Sequence, residues 1–530
     1  LTSHSQHKDK SLFNTIMVAT GIFLSRIAGL IRDRVFAHYF GNSDAADAFR
    51  AAFRIPNFLQ NLFGEGVLSA SFIPVYAKLL AEKKFDQATK LAQTIASILS
   101  LVISALVFIG ILITPLLIDI IAPGFGGTKR ELTILLVRIF FPGAGILVFS
   151  AWCLGILNSH GKFFLSYSAP VLWNIIIIIT LLFFGDSSTQ NDLATYTAAG
   201  SVAGSLLQLL IQLPFVIIII KNLRLRFSFK TREVRTVINN FIPVFFGRGV
   251  VQVSAYIDSL LASLLPTGAV AAISYAQTLY MLPISLFGMS VSAAELPAMS
   301  KVKGPQEEIA KKLQLRINNA IKRIAFYVVP STAAFFILGD IIVGAIYQTG
   351  QFTTKDTSFV WMVLAGSTVG LLAITQSRLY SSAFYAMHDT RTPLKFAIIR
   401  VILASIMGFF ASQYGPLILN IDKIYGTVGI TAASGFSGWI EYKLLQSTIS
   451  KIIGKVGLQK KYLFYLWVSA LIAAIIAFLV KIHFHYHPLI LAVTVLPLYG
   501  LVYFICTFIF RIEEIMNILK MLGVKKINLK

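Results

Sequence analysis

The sequence predicts an all-α polytopic membrane protein that crosses the bilayer about fourteen times, and three observations carry that prediction. Apolar residues make up 56% of the 530 positions and charged residues only 13%. The apolar residues lie in long runs, most of them at least the ~20 residues that a helix needs to cross the hydrocarbon layer. Basic residues outnumber acidic ones 46 to 23, a net charge of +23, and they gather in alternate joints between the runs, as cytoplasmic loops do. That placement makes the positive charge a topological signal rather than a nucleic-acid surface, with anionic lipid headgroups as natural contacts. Cys153 and Cys506 both lie inside apolar runs, so neither a disulfide framework nor a cysteine metal site is expected. No CxxC, HExxH, Walker or glycine-rich phosphate loop is present; nothing here points to an enzyme or a cofactor. His483, His485 and His487 alternate beside a helix end and read as an interfacial loop.

Taken in order, the expected spans are 14–40, 44–80, 90–122, 132–158, 163–184, 193–220, 236–265, 269–299, 318–347, 357–387, 393–414, 426–447, 462–482 and 488–510. The first follows Lys8 and Lys10 and resembles a signal peptide, but its apolar run continues into Ser25-Arg26 without a cleavage site, so it is expected to be retained. Spans longer than the bilayer imply tilt or helical extensions. Pro56, Pro74, Pro142, Pro283, Pro297 and Pro330 fall inside spans and imply kinks or breaks. The joint after span six carries Lys221, Arg224, Arg226, Lys230, Arg232 and Arg235, and those after spans eight and twelve are similarly basic. The intervening joints are poor in Lys and Arg, so both ends of this multi-pass chain are expected in the cytoplasm.

The first two spans hold unusual charge for membrane helices: Arg26, Arg32, Asp33, Arg34, Asp47, Arg50, Arg54 and Glu65. An ionised group at the bilayer centre costs at least ~2.5–3.5 kcal/mol, so such groups face one another or water. Arg26 and Asp33 are seven residues apart, as are Asp47 and Arg54, and each pair shares a helix face. A hydrated, guanidinium-rich cavity built for an anion is the expectation, with interfacial snorkelling the competing view for Arg34 and Arg50. Later spans add Arg248, Asp258, Arg378 and Arg400. Arg248 and Arg378 are candidates for the opposite wall of that cavity. Asp258 is a candidate to pair with one of them or to hold a coupling cation. Glu295 reads as an interfacial residue or as a partner for a lysine.

An internal echo organises the chain. Leu62-Phe63-Gly64 followed by Pro74 and Lys78 returns as Leu286-Phe287-Gly288 followed by Pro297 and Lys301. Asp33 precedes Ala37 as Asp258 precedes Ala262, and Ser159-His160-Gly161-Lys162 has its counterpart in Met387-His388-Asp389-Thr390-Arg391. The offset of about six spans keeps the orientation, which is the parallel-repeat plan of alternating-access transporters. The expected division is an N-terminal lobe at 1–222, a C-terminal lobe at 223–450 and a terminal helix pair with a basic tail at 451–530.

Residues distributed over nearly the whole chain resemble one family. Ser25-Arg26, Gly29, Arg32-Asp33, Asp47-Ala48-Phe49, Pro56-Asn57, Glu65-Gly66 and Phe72-x-Pro74, then Leu282-Pro283, Phe287-Gly288, Leu296-Pro297 and Phe384-Tyr385-Ala386-x-x-Asp389-x-x-Thr392-Pro393, are similar to the MurJ/MviN family of lipid II flippases. That family lies within the multidrug/oligosaccharidyl-lipid/polysaccharide exporter superfamily. The resemblance implies two six-helix lobes plus a last helix pair beside a lipid-facing groove, in a chain acting as a monomer. It also implies export of the undecaprenyl-pyrophosphate-linked peptidoglycan precursor. It carries functional weight onto Arg26, Arg32, Asp33, Asp47, Glu65 and Arg378, and a structural or gating role onto Gly29, Pro56, Asn57 and Pro283. Two family arginine positions differ: Gln60-Asn61 stands after the Pro-Asn motif and Gln277-Thr278 stands in span eight. Arg54, Arg50 and Arg248 are the candidates to replace them. The rival readings are a flippase for another polyprenyl-linked glycan and a cation-coupled exporter of the same superfamily. In the latter, buried acids should dominate over buried arginines, and in this sequence they do not.

Overall fold

The structure is a computed structural model that describes residues 2–521 except 222–223, 225, 227, 229–230, 303 and 485. The side chains of 2–19, 65–66, 243–244, 246–255 and 521 also lie outside the described residues. Helix follows each of the fourteen expected segments. Contacts divide the chain into two compact units, Leu1–Ala271 and Ala272–Lys530.

In the first unit, α1 (Thr2–Phe40) ends at Gly41, whose φ of +55° suits a residue without a Cβ. Ser43 starts α2 (Asp44–Phe63) as N-cap, its hydroxyl accepting from Ala46 N–H at 3.2 Å. The second segment then breaks into α3 (Glu65–Ser71) and α4 (Ile73–Ala81). Pro74 sits in the first turn of α4, where a missing N–H is tolerated. α5 (Phe85–Leu112) and α6 (Thr114–Ile121) divide the third segment in the same way, with Pro115 just inside α6. α7 (Gly127–Ser159), α8 (Phe163–Phe184), α9 (Gln190–Ile220) and α10 (Arg232–Ser263) complete the series. α7 packs against α2 and α9, α1 lies on α8, and α10 contacts α2, α3 and α6. A hydrophobic core joins α3, α4, α5, α7 and α9 around Phe72, Tyr76, Trp152 and Ile156. Leu101, Phe108, Leu112 and Leu116 are left exposed on α5 and α6, as suits a face solvated by lipid.

The second unit takes up the chain in α11 (Ala269–Pro283), whose first turn belongs to the first unit. A π-helical turn, Ile284–Met289, follows Pro283 and leads into α12 (Ser290–Ser300). Next come α13 (Gln306–Ile337), α14 (Gly339–Tyr347), α15 (Thr354–Thr368) and α16 (Leu371–Ala386), the last two bent by 45° at their junction. α17 (Arg391–Gln413), the short α18 (Gly415–Leu419) and α19 (Gly426–Ile453) precede α20 (Lys460–His483), α21 (Pro488–Ile509) and α22 (Glu513–Met521). α19 packs on α15, α16 and α17. It approaches the α15–α16 bend closely, because a Cβ built on Gly370 would lie 2.5 Å from Gly435 Cα. Small residues at such crossings let membrane helices pack backbone to backbone.

Among the described residues, nine helices are long and apolar enough to span a bilayer, and the bent α15–α16 pair makes a tenth. The four remaining expected segments are α1, α2–α4, α10 and α19. Each of these four carries at least two charged residues within the span: Arg26, Arg32, Asp33 and Arg34; Asp47, Arg50 and Arg54; Arg248 and Asp258; Glu441 and Lys443.

Candidate functional site

The α1–α2 hairpin creates the first charged group. The capped turn at Ser43 returns α2 alongside α1, so Arg50 meets Asp33 although 17 residues separate them. Asp33 is 3% exposed. Its Oδ1 lies 3.0 Å from Arg32 Nη2 and 3.2 Å from Arg50 Nη2. Each guanidinium also rests on an aromatic face: Arg32 Cζ is 5.1 Å from the Trp173 ring centroid and Arg50 Cζ is 4.4 Å from that of Phe36. Trp173 is oriented by its own Nε1–H, which donates to the Ser201 carbonyl at 3.0 Å and to Ser201 Oγ at 3.1 Å. Cation–π contact holds the planar fork without consuming its N–H donors. Arg54, one turn beyond Arg50 on α2, is half-buried and lies in the electrostatic field of Asp258, Tyr256 and Arg50. Its backbone carbonyl accepts from the Tyr256 hydroxyl at 2.6 Å, which fixes α10 against α2 beside it. The structure therefore gathers Arg32, Asp33, Arg50, Arg54 and Asp258 into one region of the first unit. Three guanidiniums against two carboxylates leave a surplus positive charge there.

Asp47 lies in a different setting. It is 1% exposed and binds the first turn of α11: Oδ2 accepts from Gly268 N–H and Oδ1 from Ala271 N–H, both at 2.8 Å. Lys129, at the start of α7, places Nζ 2.7 Å from Asp47 Oδ2 and 2.9 Å from Asp44 Oδ1. Asp44 also accepts from Thr267 Oγ1–H at 2.8 Å. A buried carboxylate that satisfies orphan N–H groups at a helix start and neutralises a lysine is a joint between helices.

The expected i, i+7 partnerships are thus exchanged for contacts between helices. Asp33 is met by Arg50 rather than through Arg26, and Asp47 by Lys129 rather than Arg54. Spacing along a helix defines a face, whereas long side chains from the next helix decide the partner. Arg26 is exposed on α1, and Arg34 is half-buried. Gly29 faces open space, since a Cβ built there meets nothing within 4 Å. Pro56 is buried inside α2 with Asn57 half-buried beside it, and Pro283 closes α11 immediately before the π turn. Glu65 and Arg248 belong to α3 and α10, but their side chains lie outside the described residues.

The second unit holds a charge group of its own. Arg400 on α17 sets Nε 3.0 Å from Glu441 Oε2 on α19, with both side chains mostly buried. Arg378 on α16 is exposed and lies in the field of Tyr280, Arg400 and Glu441. Here one carboxylate pairs with Arg400 and lies in the field of Arg378. Glu295 on α12 is held by Arg316 and Arg323 of α13, each at 3.2 Å, arginines where a lysine partner was one of the two expectations. Glu441 and Lys129 escaped the sequence reading. Glu441 is an acid within the apolar run Gly438-Trp439-Ile440-Glu441-Tyr442, a signal of the same kind as Asp33. Lys129 read as a loop lysine.

Comparison with known proteins places these features in a family. The family model described as "Lipid II flippase MurJ" matches residues 36–497. A probable lipid II flippase MurJ of Rickettsia prowazekii (strain Madrid E) is 32% identical over 446 residues, covering 82% of this chain and 83% of the relative. The lipid II flippase MurJ of Burkholderia cenocepacia is 29% identical, covering 82% and 83%. A solved lipid II flippase MurJ in an inward closed conformation superimposes with a TM-score of 0.77 at 27% identity, over 93% of this chain and 98% of that one. An inward-facing multidrug resistance MATE transporter of the MOP superfamily shares the fold at 17% identity, with a TM-score of 0.65 over 82% and 98% of the two chains. A chain with this helix order, these charged spans and a family match across most of its length belongs to the MurJ family of lipid II flippases.

Proposed function

We propose that this protein moves lipid II, the undecaprenyl-pyrophosphate-linked peptidoglycan precursor, from the inner to the outer leaflet of the bacterial inner membrane for cell-wall synthesis. The observation that carries the reading is the guanidinium surplus around Asp33, set on helices of a chain that matches the family over residues 36–497. A pyrophosphate cannot cross hydrocarbon bare, because desolvating its charge is prohibitive. Arginines held on aromatic faces replace its water with charge-assisted, often bidentate hydrogen bonds. In this reading Arg26, Arg32, Arg54, Arg248 and Arg378 contact the anionic head, and Asp33 and Glu65 hold those arginines in place. Asp47 acts through the start of α11. Gly29, Pro56, Asn57 and Pro283 permit the helices to bend.

The two six-span lobes, 1–222 and 223–450, rock about the head while the polyprenyl tail stays in lipid beside the terminal pair at 451–530. Both termini face the cytoplasm and the chain works as a monomer. Asp258 balances Arg54, and a coupling cation competing for that carboxylate would link ion movement to cargo binding.

The test is genetic and biochemical together. In a bacterium whose only flippase is this chain, depletion leaves lipid II on the inner leaflet, and wild type restores its outward movement. Arg32→Ala reaches the membrane and does not restore it. Normal leaflet distribution of lipid II after depletion removes the substrate from the reading.

A further inference from the structure

A cavity lies in the first unit, lined by none of the residues of the charged hairpin. It has a volume of about 200 Å³ and sits among α5, α7 and α9, with Ala96, Ser100, Phe149, Trp152 and Leu209 in its walls and Arg224 at its edge. We propose that it binds one acyl chain of an anionic phospholipid, with the lipid phosphate on Arg224.

Three observations lead there. The first is the character of the walls. Ser97 and Ser100 look polar in sequence, but their hydroxyls donate back to the Gln93 and Ala96 carbonyls at 2.9 Å each. Tied back in this way, they leave a surface mainly of carbon. The second is size. The volume exceeds the ~150 Å³ of an apolar cavity that takes up benzene and falls below the ~300 Å³ typical of drug-sized ligands. A segment of a single hydrocarbon chain fits that range.

The third is the position of the basic joint. The Arg226 backbone N–H donates to Ser97 Oγ at 2.8 Å, which fixes Arg226 against α5. Arg224, two residues earlier, is thereby held exposed at the cavity and forms no ion pair among the described residues. The joint carries six basic residues between Lys221 and Arg235, a density that attracts anionic headgroups.

The experiment uses the purified full-length chain in detergent and native mass spectrometry. Phosphatidylglycerol, phosphatidylcholine and inorganic phosphate are titrated separately against wild type, Arg224→Gln and Ala96→Phe, the last of which fills the cavity from α5. Ser100→Phe replaces Ala96→Phe if the latter melts early. Phosphatidylglycerol is expected to bind wild type about fivefold more tightly than either variant does. Phosphatidylcholine should bind weakly and equally to all three, and inorganic phosphate should not compete. A phosphatidylglycerol with a photoreactive group on its acyl chain should label the segment containing Phe149 and Trp152. Equal retention of the two lipids overturns the proposal, as does full binding by the cavity-filled variant. Competition by inorganic phosphate also overturns it, because it reduces the contact to a headgroup on a surface arginine. Lipid II flipping does not enter any of these readouts, so the outcome is independent of the transport reading.

Discussion

Arg50 reaches from α2 to Asp33 on α1 and sets both terminal nitrogens 3.2 Å from the same oxygen, Oδ1. Arg32 approaches that oxygen as well. One carboxylate oxygen thus keeps two guanidiniums side by side, and without it they repel. Asp33→Asn is expected to destabilise the detergent-solubilised protein by about 2–3 kcal/mol, as loss of one partner of a partly buried ion pair does. It should also abolish growth rescue of flippase-depleted cells. Thermal unfolding and the rescue assay check the two effects separately. An unchanged melting curve would show that the arginines do not depend on Asp33.

Asp47→Ala removes the acceptor for Gly268 N–H and Ala271 N–H and strands Lys129. Each stranded buried donor costs about 1–3 kcal/mol, so the variant should accumulate poorly in the membrane and melt early. Asp47→Asn keeps an acceptor oxygen and should recover part of the loss. Quantifying membrane levels and melting temperatures for both variants decides this.

Gly370→Ala places a methyl group 2.5 Å from Gly435 Cα, where the backbone has no room to give. Overpacking of this kind costs about 1–3 kcal/mol. Thermal unfolding of Gly370→Ala beside Gly415→Ala, whose added Cβ meets nothing within 4 Å, provides the measurement. Only the first should shift.

Glu441→Ala leaves Arg400 without its carboxylate on α19. The double change with Arg400→Ala should be less damaging than the sum of the single changes, with a coupling of about 1–3 kcal/mol. A four-member cycle in unfolding free energy supplies the test.

Asp389, in the loop before α17, accepts from Thr392 and from the Arg391 and Thr392 backbone N–H groups. The Thr392 side chain contributes most, and together these bonds hold the carboxyl below its ordinary range. Because the folded value is the lower one, the stabilisation is complete above the ordinary carboxylate pKa. It is lost as pH falls through the folded value. Asp389→Asn should therefore melt earlier than wild type at neutral pH, and the gap should close on acidification.

The sequence made the helices legible because bilayer thickness dictates apolar run length, and every expected span carries helix. It also located the charged helices, since an ionised residue in an apolar run stands out. Partners were less legible. Lys129 looked like a joint residue because its backbone is one; only its long side chain enters the core to reach Asp47. Arg50 divided between snorkelling and pairing until the hairpin placed it over Phe36 beside Asp33. Of the prolines expected to kink or break spans, Pro74 stands at the break before α4 and Pro283 at the π turn, while Pro56, Pro142, Pro297 and Pro330 lie inside helices that run on; the break at Pro115 was not expected. The bend between α15 and α16 has no proline, and glycine contact with α19 marks it instead.

The wide turn at Ile284–Met289 changes the phase of everything after it. An α-helix advances about 100° per residue, and a π turn takes one more residue to complete its circuit. The residues of α12 are therefore rotated by roughly that angle from where an unbroken α11 would aim them. Glu295 owes its meeting with Arg316 and Arg323 to this offset. Drawing Ile284–Met289 into regular α winding with every residue kept would swing the acid out of reach of both, whereas deleting one residue there would restore the winding and leave the acid in place, so the length of this segment matters as much as its composition.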